Sequence, residues 1–220
     1  MKGDLMFSNF SEEMDSLWKR YFKKMNDKDY LIKDGIDPDK AEQYFSQKTK
    51  VLFVLKESNE EGVPFEDREV ESKSIYDENG WFTCYSGHNR AMITKMIKMY
   101  RYICDIKEGI DTPTKSKTVK AQERYSFAFI NINKHGNGGY ICDSEKLKEF
   151  LKNDADLLSE QINLLNPDVI VFGVKDLEAL FAKKIKLDNE QIKIIPTPHF
   201  KRMGYAVFED EVRRKYGLTE

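Results

Sequence analysis

The sequence predicts an α/β domain in which a parallel sheet is layered between helices. Short apolar runs recur at residues 51–55, in YSFAFINI near 125–132, in DVIVFG near 168–173 and in IKIIP near 192–196. These runs are continuous rather than alternating in polarity, as in strands buried on both faces. Segments with helical apolar spacing separate them, and strand alternating with helix is the mark of a parallel sheet covered on both sides.

The elements follow in order. From about residue 8 to 26, Phe10, Met14, Leu17, Trp18, Tyr21, Phe22 and Met25 share one helical face behind a serine start at Ser8 or Ser11. Asp37 as cap and Pro38 in the first turn open a short helix to about 46. Residues 1–48 thus read as a helical extension packed on a single domain spanning 1–220. Residues 57–86, broken by Gly62, Pro64 and Gly80, read as a long loop, and long loops in compact domains tend to be functional or disordered. A helix over about 88–106 carries Met92, Ile93, Met96, Ile97, Tyr100 and Ile103 as core packing. Lys115, Lys117, Lys120 and Arg124 around Pro113 form either a phosphate-touching arm or a solvated linker. Helices are expected over 144–165, closed by Asn166-Pro167, then over 176–184 and 205–216.

Composition bounds the function. With 40% apolar and 12% aromatic residues in 220, the chain can build a full core, and 34% charged residues give a well-solvated surface. No apolar run approaches a membrane span, and MKGDLMFSNFSEEMD has no signal-peptide core, so a cytoplasmic monomer without membrane contact is expected. Cys84, Cys104 and Cys142 are scattered and odd in number, which suits neither a disulfide framework nor a closed metal site. A net charge of −2 requires any phosphate-binding face to be a local patch.

Ligands of open parallel sheets bind outside the carboxyl ends of the strands. In this chain those ends read Lys56-Glu57-Ser58-Asn59, Asn131-Ile132-Asn133-Lys134-His135, Gly173 and Thr197-Pro198-His199. In this order they resemble the uracil-DNA glycosylase superfamily. That family has a short motif after its first strand (G-Q-D-P-Y, G-I-N-P or G-E-A-P-G), a base-reading Asn after a middle strand, in one branch as N-x-x-K, an apolar strand ending in glycine, and a final strand ending in H-P-S. The resemblance runs from about residue 50 to 202 and implies a uracil-DNA glycosylase-like fold, a four-stranded sheet in the order 2-1-3-4. The chain departs from the pattern at Leu55, where glycine is frequent, at Ser58 for proline, and at Phe200 for the proline of H-P-S. The iron–sulfur branch needs four cysteines, which are not present in these 220 residues.

The resemblance assigns Glu57 and His199 as catalytic groups. Cleaving an N-glycosidic bond builds positive charge on the sugar and negative charge on the departing base, so a carboxylate and a hydrogen-bond donor both help. Asn131 would read the edge of a flipped base, with Asn59, Lys134, Trp81, Phe82 and Tyr85 as further substrate contacts. Lys134 would either neutralise a phosphate or pair with Glu57. The glycines of HGNGG suit a close phosphate contact or a plain turn. Lys201, Arg202 and Met203 would meet the DNA backbone, with Met203 or Tyr205 as a wedge. Against DNA stands the run Glu60, Glu61, Glu66, Asp67, Glu69 and Glu71, relieved only by Arg68.

The expected function is a DNA glycosylase-like enzyme acting on uracil or another modified base in single- or double-stranded DNA, with no cofactor or metal. The alternatives are an inactive glycosylase-fold module that binds nucleic acid or protein, and a hydrolase of free nucleosides or nucleotides.

Overall fold

The computed structural model describes residues 2–25, 31–57, 72–76, 82, 87–110, 119–135, 143–198 and 204–218. In chain order the elements are α1 (Lys2–Lys24), β1 (Leu31–Lys33), α2 (Ala41–Phe45), β2 (Val51–Glu57), β3 (Ser72–Ser74), α3 (Gly87–Lys107), β4 (Ala128–Asn133), α4 (Ser144–Asn153), α5 (Ala155–Leu165), β5 (Val169–Phe172), α6 (Glu178–Lys184), β6 (Lys193–Pro196) and α7 (Tyr205–Lys215).

The four apolar runs form one sheet, ordered β4-β2-β5-β6 and parallel throughout. By position along the chain this is the expected order 2-1-3-4. Because side chains alternate across a strand, each strand contributes to two cores. Val51, Phe53 and Leu55 join Phe127, Phe129, Val171 and Ile195 beneath α3 and α7. Leu52 and Val54 join Ala128, Ile130, Ile170 and Phe172 beneath α4, α5 and α6. The sheet is therefore buried on both faces, which is why its strands lack a polar alternation. No helix among the described residues is long and apolar enough to cross a membrane.

Helix α1 packs on α5 through Met14, Leu17, Trp18, Tyr21 and Leu157. It starts at Lys2, six residues before Ser8 and nine before Ser11, the serines expected at its start. Asp37 does cap the next turn, accepting from the Asp39 N–H at 3.0 Å. The helix expected over 144–165 is instead two, divided at Asp154 (φ −107°, ψ 11°), whose carboxylate lies 3.4 Å from Lys24 Nζ of α1. Within the expected loop, β3 pairs in parallel with β1 to form a separate two-stranded sheet.

After β1 the chain covers the open edge of β4. Gly35 N–H donates to Phe129 O at 2.7 Å and Phe129 N–H returns to Gly35 O at 2.8 Å. Gly35 has φ +115°, a conformation that glycine adopts without strain. Below it, Ile32 N–H donates to Lys134 O at 2.8 Å. The segment thus pairs backbone groups that an edge strand would otherwise expose.

Candidate functional site

The carboxyl end of the sheet is assembled from the ends of β2 and β4. Parallel register sets Leu55 beside Asn131 and Glu57 beside Asn133, following Phe53 beside Phe129. Glu57, Asn131 and Asn133 therefore continue the face that lower down carries the α3 core. With a rise of about 3.3 Å per residue and strands about 4.8 Å apart, Glu57 and Asn131 stand roughly 8 Å apart between Cα atoms. They are diagonal neighbours on one face, a separation at which long side chains of adjacent strands reach one another.

Asn131 has the most informative side chain of this group. It is fully buried, at 0% exposure. Neither its Nδ2 nor its Oδ1 has a hydrogen-bond partner among the described residues. An amide buried this way costs about 1–3 kcal/mol, and most buried polar groups are paired. Asn133, two residues on and equally buried, accepts the His135 N–H at 2.8 Å and closes a local turn. Of the two asparagines, only Asn131 holds both a donor and an acceptor in reserve for a ligand.

Lys134 differs from expectation. Its ammonium contacts Asp34 Oδ1 at 2.5 Å, and both side chains are completely buried. It meets neither Glu57 nor an open surface, so it is not available to a phosphate. Trp18 and Tyr21 of α1 lie over it, with ring centroids 5.7 Å and 6.0 Å from Nζ. Asp34 also accepts the Gln161 Nε2 at 3.0 Å and the backbone N–H of Asn131 at 2.7 Å. Burial pushes the Asp34 carboxyl up from its ordinary value, with Lys134 pulling it back. Burial likewise pulls the Lys134 ammonium down, against Asp34.

Phe82, expected as a stacking platform, is 1% exposed. It lies parallel to Phe129, with centroids 6.3 Å apart, and edge-on to Tyr76 and Phe127. In this structure it is core packing. Glu57 is half-buried at the strand end. His199, Asn59, Trp81, Tyr85, Lys201, Arg202 and Met203 lie outside the described residues, as do the acidic run 60–71 and the HGNGG glycines. The described chain reaches Pro198 just beyond β6, with Thr197 fully buried and its N–H donated to Phe172 O at 2.8 Å.

Two long helices present their N-termini to this end. Lys107 closes α3 and lies 3.2 Å from Asp168, which precedes β5. Lys215 closes α7, and its carbonyl accepts from Lys193, the first residue of β6, at 3.2 Å. Both helices therefore run against the strands, so their partially positive ends face the carboxyl rim. Among the described residues no group of three His, Cys, Asp or Glu side chains is arranged to hold a metal ion. Cys104 is half-buried, and burial raises its thiol to about 11, away from the reactive range.

Sequence reasoning missed Asp34 and Gln161. Asp34 sits in a Lys-Asp-Gly turn signature that reads as surface, and Gln161 is a polar residue buried only by the packing of α5 among its tertiary neighbours. No family model matches the chain, and comparison with curated proteins and with solved structures returns no match.

Proposed function

We propose that the chain is a DNA glycosylase-like enzyme, which hydrolyses the N-glycosidic bond of uracil or another modified base flipped out of DNA. The observation that carries this reading is the buried, unpartnered Asn131 carboxamide on the same rim face as Glu57. A carboxamide of this kind offers one donor and one acceptor to the edge of a base, and the base must leave the stack to reach it. Glu57 would stabilise the cationic sugar and orient water, and His199, three residues beyond β6, would donate to the departing base.

Electrostatics are compatible with a phosphate-bearing substrate despite the net charge of −2. The N-termini of α3 and α7 bring partial positive charge to the rim, and Lys201 with Arg202 would add two cations beside it. The uracil-DNA glycosylase-like assignment of the fold belongs to the same proposal: a four-stranded parallel sheet in the order 2-1-3-4 is compatible with it, and many other folds share such a sheet.

The experiment is incubation with single- and double-stranded oligonucleotides bearing a panel of modified bases, followed by alkaline cleavage at abasic sites. Strand breaks at one or more modified positions support the reading. Their absence across the panel, together with salt-dependent binding to the same oligonucleotides, would favour a binding module.

A further inference from the structure

We propose that Asp34 is a positioning residue for Asn131, and that α1 is thereby part of the site; this rests on reading Asn131 as the base-contacting amide. β4 is an edge strand, and the N–H groups of Phe129 and Asn131 both point away from β2. The first is taken by Gly35 O, whereas the second is taken by the Asp34 carboxylate at 2.7 Å. A carboxylate acceptor makes a stronger hydrogen bond than a carbonyl does. The position at which the strand carries its unpartnered side chain is therefore also the one with a charged anchor.

The anchor is itself fixed from two further elements. Asp34 Oδ1 accepts from Lys134 Nζ, three residues along the chain from Asn131, and from Gln161 Nε2 of α5. Trp18 and Tyr21 of α1 close over the ammonium. A buried ion pair is often no more stabilising than an apolar pair of similar volume, so stability alone does not account for this one. Its geometry does something an apolar pair does not: it clamps the Asn131 backbone from outside the sheet. A carboxamide whose backbone is held fixed loses less freedom when it meets a base.

The test uses two variants, Asp34→Asn, which keeps the shape, and the double variant Asp34→Leu with Lys134→Met, which replaces the pair by apolar groups. Val212→Ala in the α7 core serves as a destabilised control far from the network. Hydrogen exchange of the Asn131 backbone amide should quicken by about tenfold in Asp34→Asn and up to about a hundredfold in the double variant, the scale of weakening a charge-assisted hydrogen bond. The Phe129 amide, whose acceptor is untouched, should keep its wild-type rate. On the best oligonucleotide of the panel, KM should rise about tenfold with kcat within about twofold, since ground-state recognition and not bond cleavage is impaired. Val212→Ala should leave both constants unchanged.

Wild-type exchange at Asn131 in both variants overturns the anchor. Faster exchange with unchanged KM overturns the positioning role. If the native protein releases no base from any oligonucleotide, the glycosylase reading falls, and the exchange rates still decide on their own whether Asp34 holds Asn131.

Discussion

At the N-terminal end of the central sheet, buried Tyr44 and half-buried Asp168 and Tyr100 all have hydrogen-bond partners. Asp168 Oδ2 accepts the Lys50 N–H at 2.7 Å while Lys107 lies 3.2 Å from Oδ1; Tyr44 donates to Leu165 O at 3.0 Å, and Tyr100 to Gln47 Oε1 at 2.8 Å. At the carboxyl end, Asn131 is as fully buried as Tyr44 and has no partner among the described residues. The first end is sealed by its own hydrogen bonds. The second carries an unmet donor and acceptor, at a cost that an apolar side chain would avoid. Within that second end the contrast repeats at close range, since Lys134, three residues beyond Asn131, is paired with Asp34.

Substitutions at a satisfied group and at Asn131 should therefore differ in sign. Lys134→Met should have the largest effect, losing about 3–5 kcal/mol in urea unfolding, because it leaves the Asp34 carboxylate buried without its counter-ion. A loss below about 1 kcal/mol would mean that the pair is less tightly sealed than described. Next, Glu57→Gln and His199→Ala should each reduce single-turnover base release by about a hundredfold or more. Glu57→Gln, at a half-buried strand end, should change the unfolding free energy by no more than about 0.5 kcal/mol. Equal release by either variant and the native protein would show that residue to be misassigned. Lys107→Ala, at the sealed end, should cost about 1 kcal/mol or less, since its partner also accepts the Lys50 N–H and the pair is only partly buried. A larger loss would reveal a network at that end rather than a simple closure.

The sheet was legible because its strands are buried on both faces, and a continuous run such as Val51 to Leu55 has few other readings. Its carboxyl ends were legible for the same reason: Glu57 and Asn131 are where the apolar pattern stops. The partner of Lys134 was not. Asp34 lies 100 residues earlier, after a three-residue strand too short to show any periodicity, and only the docking of that segment on the edge of β4 buries it. The break between α4 and α5 falls at Asp154, which contacts Lys24 of α1, again a partner distant in sequence. Phe82 illustrates the opposite limit: an aromatic residue in a loop-like stretch reads as an exposed platform or as core equally well, and the ring of Phe129 decides. What escaped the sequence is what α1 and the 31–35 segment do to β4, a tertiary effect without local signal.

Asn131→Leu, which keeps the number and branching of side-chain heavy atoms but removes the polar ones, is the sharpest probe of an amide held unpaired for a base. Stability and single-turnover base release should be measured on the same preparation of Asn131→Leu, using an oligonucleotide that the native protein cleaves. Stability should be equal or greater, by up to about 1–3 kcal/mol, and base release should fall at least about tenfold. A variant that releases base at the native rate, or one that is destabilised by several kcal/mol as Lys134→Met should be, would show that Asn131 is not held open for a base.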